Sequence, residues 1–328
     1  RGVPHLHGAH GLGHRPGRAD PSTGHAVGQL PAHHDETDLI DVSARHTEAG
    51  AVGLVLARPL RMLSAEPFFM EFISGIEERL SDQGRAVLLH MVTTHEEEIA
   101  TYRRWAEQGL VDAVAVVNLT EGDRRPAVLH ELGLPAVLVG TWEGSPGLPT
   151  VATDDTSPVR EVLDRLLDLG HRRIARVSGP SALLHTRARA AALSEGARAA
   201  GIDPPLVVEG DYSHESGEQS TIDLLSREDS PTAILYDNDV MALAGLSAAR
   251  KLDVSVPERV SLIAWDDSVL CQLSSPPITA MSVDVHRQGV LVAETLLESL
   301  AAGPVVERWS PTARFVRRGS IGPAPGHG

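Results

Sequence analysis

From Val52 onward, short apolar runs rich in β-branched residues alternate with amphipathic stretches, and this alternation restricts the fold more than any other feature of the chain. Strands are expected at Val52–Leu56, Ala86–His90, Ala113–Val117 and Ala136–Gly140, then at Ile174–Ser178, Leu206–Glu209, Thr232–Tyr236 and Val260–Ala264. Helices are expected near 68–83, 96–108, 156–169, 187–200, 215–227, 239–252 and 285–302. Strands that read as continuous apolar runs, such as "VDAVAVV", suit a parallel sheet covered on both faces, and strand–helix alternation is the pattern of βαβ units. The two sets of strands also resemble each other: "GIEERLSDQGRAVLLH" parallels "GARAAGIDPPLVVEG", "GLVDAVAVVN" parallels "SPTAILYDN", and "LGLPAVLVG" parallels "VPERVSLIAW". The offsets are all about 120 residues, which indicates a duplicated lobe and not a short solenoid repeat. Two open sheets imply two lobes with a cleft between them.

A chain of 328 residues has room for two such lobes. Its apolar runs are far shorter than the roughly 20 residues a membrane helix needs. Net charge is −15, which argues against the chain as a whole being an electrostatic nucleic-acid binder. The single cysteine, Cys271, allows no internal disulfide, suits a reducing cytoplasm, and reads as a small apolar filler.

Ligands of open α/β sheets bind beyond the carboxyl ends of the strands, so those ends are the place to look for function. Tyr236 is followed by Asp237-Asn238-Asp239, Trp265 by Asp266-Asp267, and the crossover near Val151 ends in Asp154-Asp155. Arg187 and Arg189 open the helix that follows the Gly179-Pro180 loop. Carboxylates, an amide, a guanidinium fork and a flat indole suit a polyhydroxylated ring, polar at its edges and apolar on its faces. Bland readings compete with these. Asp239 reads as the N-cap of the next helix, Asp155 and Asp267 as caps or turn formers, and Trp265 equally as core. Asp154, Asn238 and Asp266 stand out because three strand ends converge on one expected cleft.

Catalytic signatures are missing: no phosphate-cradling G-x-x-x-x-G-K, no G-x-S-x-G elbow and no H-E-x-x-H occurs. His95-Glu96-Glu97-Glu98 reads as a solvated helix start. No cofactor and no metal is expected.

Residues 1–50 differ from the rest, with eight of the sixteen histidines, eight glycines and four prolines. No helical or strand period runs through them, so residues 1–45 are expected to be a disordered tail. His5, His7 and His10 cluster, but only as an adventitious metal site.

Residues 50–320 resemble the regulatory domain of the LacI/GalR family of bacterial transcription factors. The matching stretches are "GAVGLVLARP", "PFFMEFISGIEERLSDQG", "LGHRRIARVSGP", "SPTAILYDNDVMALAGLSAARKL", "VPERVSLIAWDDS" and "SPPITAM". The resemblance implies an α/β fold of the periplasmic-binding-protein type I kind, made of two similar Rossmann-like lobes with parallel sheets. Lobe 1 would run over about 50–152 plus 283–312, and lobe 2 over about 155–281 plus 313–320. It further implies a cytoplasmic, non-enzymatic homodimer that binds a small, sugar-like effector between its lobes and, in the family, operator DNA. Asp154, Arg189, Asn238 and Asp266 match positions that hydrogen-bond the effector, Phe69 resembles a position lining the cleft from the first lobe, and Trp265 departs from the pattern by standing where tyrosine or phenylalanine is usual. Ala264 replaces the usual glycine, and Ala192-Leu193 replaces the common Gly-Phe. The family's N-terminal helix-turn-helix has no counterpart in residues 1–40, which leaves a frameshift or an alternative tail as explanations. A transporter's solute-binding protein shares the fold and is the alternative reading.

Overall fold

A computed structural model describes residues 50–59, 67–145 and 147–326. The histidine-rich stretch, with the expected tail and His5, His7 and His10, lies outside the described residues.

The first sheet holds β1 (Ala51–Ala57), β2 (Ala86–Val92), β3 (Ala113–Val116), β4 (Ala136–Val139), β5 (Thr150–Ala152) and β11 (Glu307–Trp309). Its order is β11-β5-β4-β3-β1-β2, parallel throughout. The second sheet holds β6 (Ile174–Ser178), β7 (Leu206–Glu209), β8 (Ala233–Tyr236), β9 (Ser261–Trp265), β10 (Thr279–Ser282) and β12 (Arg314–Val316). It repeats the same order, β12-β10-β9-β8-β6-β7, with only β12 antiparallel. In each lobe the order reverses beside the first strand, creating a topological switch point between β1 and β3 and again between β6 and β8.

The helices are α1 (Pro67–Ser81), α2 (His95–Gln108), α3 (Arg125–Leu132), α4 (Ser157–Asp168), α5 (Leu184–Ala199), α6 (His214–Leu225), α7 (Asp239–Lys251), α8 (Val269–Leu273) and α9 (Val285–Leu300). In the first lobe α1 and α9 pack against each other and bury Phe69, Phe72, Ile76, Val292 and Leu296 in one core. They approach closely because Gly75 and Gly289 meet there. A Cβ on Gly75 would collide with His286 O, and one on Gly289 with Phe72 O. That approach sets where the Phe68-Phe69 start of α1 lies. In the second lobe Ile234, Tyr236, Met241, Leu246, Leu262 and Cys271 share a core, Cys271 fully buried among them.

The chain passes between lobes three times: Thr153–Thr156 after β5, Val283–Asp284 after β10, and Ser310–Ala313 between β11 and β12. The lobes touch elsewhere too. Leu184 N donates to Leu119 O at 2.9 Å, Thr120 bridges to Leu183, and Arg187 pairs with Glu121.

Several local expectations are corrected. Helix α5 begins at Leu184, not near 187, so Arg187 and Arg189 lie inside its first turns and do not open it. The cap of α7 is Asn238, whose Oδ1 accepts Met241 N at 2.9 Å, and not Asp239. Asp155 and Asp267 are ion-paired, with Arg189 and Arg318. Glu98 is not solvated. It is fully buried, accepts two bonds of 2.9 Å from Arg125 Nη1 and one from Tyr102 Oη, and lies one turn inside α2. Arg125 in turn donates to Val117 O and Asn118 O, so this buried network fixes the chain leaving β3. Such a cluster persists only because every charge in it is paired and hydrogen-bonded. The pattern missed α3 and α8, which are eight and five residues long, and β5, β10, β11 and β12, which are three or four. None is long enough to display a period.

Candidate functional site

The carboxyl ends of the strands in both sheets face one cavity of about 370 Å³. All six residues singled out from the sequence, Phe69, Asp154, Arg189, Asn238, Trp265 and Asp266, line it. Apart from the neighbours Trp265 and Asp266, they come from different places in the chain, so the fold brings them together.

The centre of the second-lobe wall is a stack. Arg189 Cζ lies 3.7 Å from the centroid of the Trp265 ring. Asp155 holds the guanidinium through Nε at 2.8 Å and Nη2 at 2.7 Å. Burial works against the Arg189 charge, but Asp155 and Asp237 outweigh it and hold its pKa above the usual arginine value. Arg189 is thereby fixed as a flat cation through Nε and Nη2.

Beside it, Asp237 takes Arg176 Nε at 2.8 Å, Arg176 Nη2 at 2.6 Å and Gly179 N at 2.9 Å. Burial pulls that carboxyl up, yet Arg176 and these bonds keep it below the usual range. Asn238 is largely consumed by the chain itself. Besides capping α7, its Nδ2 donates to Tyr212 O at 3.0 Å, leaving one N–H for the cavity.

Three cavity residues have left-handed backbone: Asn118 (φ 54°), Tyr212 (φ 70°) and Asp266 (φ 68°). A non-glycine residue in this region costs on the order of 1–3 kcal/mol, and bulky Tyr212 is the most unusual of the three. The surroundings enforce the conformations: Arg125 holds Asn118 O, and Asn238 holds Tyr212 O. Gly179 completes the Tyr212 seat, because a Cβ there would collide with the phenol oxygen.

Tyr212 and His185 form a polar pair, Nε2 to Oη at 2.8 Å. Burial, then the charge of Arg189, depresses the His185 pKa to about 4, so the ring is neutral at physiological pH. Burial and Asp237 push the Tyr212 phenol up, so it keeps its proton. Across the cleft, Arg58 at the end of β1 lies between the Phe69 ring at 4.9 Å and the Tyr212 ring at 5.0 Å, joining the lobes.

Arg58, Tyr212, His185, Trp309 and Ser310 line the cavity without having been singled out from the sequence. The strand-end rule, applied to β1 and β7, would have reached Arg58 and Tyr212. Trp309 ends a three-residue strand that carries no pattern, and Ser310 follows it.

Among the described residues no cluster of metal-ligating side chains occurs, and no helix is long and apolar enough to cross a membrane.

Two doubly wound lobes, three crossovers and a polar-and-aromatic cleft at the strand ends define a periplasmic-binding-protein-like ligand-binding domain. Residues 163–321 match the profile of a periplasmic binding protein-like domain. The chain is 31% identical over 253 residues to the HTH-type transcriptional regulator CelR of Thermobifida fusca, covering 76% of this chain and 74% of CelR. It is 31% identical over 287 residues to the HTH-type regulator AglR of Rhizobium meliloti, covering 85% and 80%. Among solved structures, a LacI family transcriptional regulator from Bifidobacterium animalis superposes with a TM-score of 0.77 at 35% identity, over 85% of this chain and all of that one. A CelR–cellobiose complex superposes with a TM-score of 0.76 at 28% identity, covering 83% and 84%. The chain belongs to the LacI/GalR family of transcriptional regulators.

Proposed function

We propose that this protein is a transcriptional regulator that senses a sugar in its interlobe cleft without turning it over. The observation that carries the reading is the convergence of Phe69, Asp154, Arg189, Asn238, Trp265 and Asp266, from both lobes, on one cavity whose central element is a paired arginine stacked on an indole. Flat apolar faces beside fixed donors and acceptors match a pyranose ring. The cellobiose bound by CelR, a relative of similar fold, points to the same ligand class.

Phe69 and Arg58 belong to lobe 1 (50–152 with 283–312), and the other five to the crossover and lobe 2 (155–281 with 313–320). A sugar touching both lobes favours their closed arrangement by its differential affinity for it. In a homodimer that shift reorients the subunits and alters binding to operator DNA, the partner the family brings to the proposal. Exposed Val269 and Leu273 on α8 form an apolar face suited to a second copy of the chain. A cytoplasmic location belongs to the same reading.

The test is titration calorimetry with a panel of mono- and disaccharides, together with chromatography of each sugar after incubation. At least one sugar should bind and remain intact, and Asp266→Ala should abolish its heat. Binding unaffected by Asp266→Ala, or a hydrolysed sugar, would overturn the proposal.

A further inference from the structure

We infer that the cleft contains a second sugar-ring subsite at its crossover end, built on Trp309 and Ser310, and that the effector is therefore at least a disaccharide. This rests on the sugar-sensing reading above.

Strand order supplies the geometry. Because β11 passes to β12 through Ser310–Ala313 alone, the edges of the two sheets adjoin at that crossover. Trp265 ends β9, two strands in from the edge, about 10 Å at a spacing of about 4.8 Å per strand. Tyr212 and Arg58 lie further along, after β7 and β1. One pyranose ring lying on the Arg189–Trp265 stack cannot reach the edge, whereas a second ring linked to it can. The cavity of about 370 Å³ lies within the range of about 300–1,000 Å³ that takes ligands larger than one ring.

What waits at the edge is otherwise without a role. Trp309 is 55% exposed yet lines the cavity, and Nε1–H donates to Glu307 Oε1 at 2.9 Å, which pins the indole. A large aromatic ring left open to water but held in one orientation is an apolar platform in search of a flat partner. Next to it, the Ser310 hydroxyl is buried, in a residue only 6% exposed, and has no hydrogen-bond partner among the described residues. A buried hydroxyl left unpaired costs about 1–3 kcal/mol, which a bound ligand oxygen would recover. Ser310 N donates to Ala152 O at 2.9 Å, so this pair sits against the exit of β5. There Asp154, which lines the cavity, accepts Thr156 N, Thr156 Oγ1 and Ser157 N through Oδ1, so its carboxylate is held at the crossover. Face, hydroxyl and carboxylate oxygen together make a second ring site.

The experiment is calorimetry on the full chain with cellobiose, maltose, lactose, trehalose and sucrose, beside glucose, galactose and fructose. At least one disaccharide should bind about tenfold more tightly than either of its component rings. Trp309→Ala should remove that advantage while leaving monosaccharide affinity within about twofold. Ser310→Ala, a smaller change that keeps the fold, should weaken the disaccharide alone by about threefold. Equal affinity for monosaccharides and every disaccharide, or a Trp309→Ala that weakens both classes alike, overturns the subsite while leaving the sensing function intact. Absence of heat with every sugar overturns the sensing function and the subsite together.

Discussion

Arg189 lies flat on Trp265, its guanidinium carbon 3.7 Å from the ring centroid, with Asp155 gripping the same guanidinium from its edge. The two partners have separable tasks. Asp155 neutralises a buried charge, whereas Trp265 supplies the surface that charge rests on. Removing a partner from a buried ion pair costs about 3 kcal/mol or more. Asp155→Ala should therefore lower the melting temperature by about 6–12 °C, at about 2–4 °C per kcal/mol. Trp265→Phe keeps an aromatic ring in the core seat shared with Leu163, Leu193 and Met281, so it should lower the melting temperature less than Asp155→Ala while weakening sugar binding. Differential scanning calorimetry beside titration calorimetry separates the two.

His185 makes stability pH-dependent. Its folded pKa is about 4, against an ordinary value of 6.5, so between those limits the unfolded chain binds more protons than the folded one. Stability then rises with pH across the window and is lost as pH falls from 6.5 to 4, by up to about 3 kcal/mol. His185→Gln should flatten that acid limb in urea titrations at successive pH values. An unchanged slope would show that the imidazole protonates freely in the folded chain.

Asp239 shifts the other way. It is buried, Oδ2 has no hydrogen-bond partner, and burial raises its pKa despite bonds from Ser268 and the start of α7. An acid with a raised folded pKa loses stability as pH climbs above its unfolded value. Asp239→Asn should accordingly raise the melting temperature at pH 7 by about 2–4 °C and make little difference near pH 3.

Tyr212 is held in a left-handed conformation by the Asn238 amide and by the space Gly179 leaves for the phenol. Gly179→Ala should displace the Tyr212 ring and weaken sugar binding by about tenfold or more, with 1 kcal/mol or so of lost stability. Asn238→Ala should cost about 1 kcal/mol from the lost α7 cap alone and affect binding as well. Near-ultraviolet circular dichroism and calorimetry on both variants provide the check.

The exposed Val269 and Leu273 face gives a prediction about assembly. Leu273 is 80% exposed, so a charge there leaves the folded lobe undisturbed. Leu273→Glu should convert a dimer to a monomer in light scattering. A wild-type chain that is monomeric at micromolar concentration would refute the dimer face.

The alternation of strands and helices, their duplication about 120 residues apart, and the family are legible along the chain, because periodicity and local motifs are written into contiguous residues. Ile174–Ser178 and Leu206–Glu209 fall where their β-branched runs end. The strand-end rule also reached Asp154, Asn238, Trp265 and Asp266, since each directly follows a recognisable strand or crossover. Tertiary structure alone decided which of those groups remain available. Asn238 spends most of its hydrogen bonds on Met241 and Tyr212, and Glu98 leaves a seemingly solvated helix start to pair with Arg125, 27 residues on. The pairing of Arg189 with Asp155, the left-handed turn at Tyr212, and the arrival of Trp309 beside the β5 exit are likewise tertiary. Each depends on groups far apart in the chain, whose meeting is set by strand order and helix packing and leaves no local pattern to read.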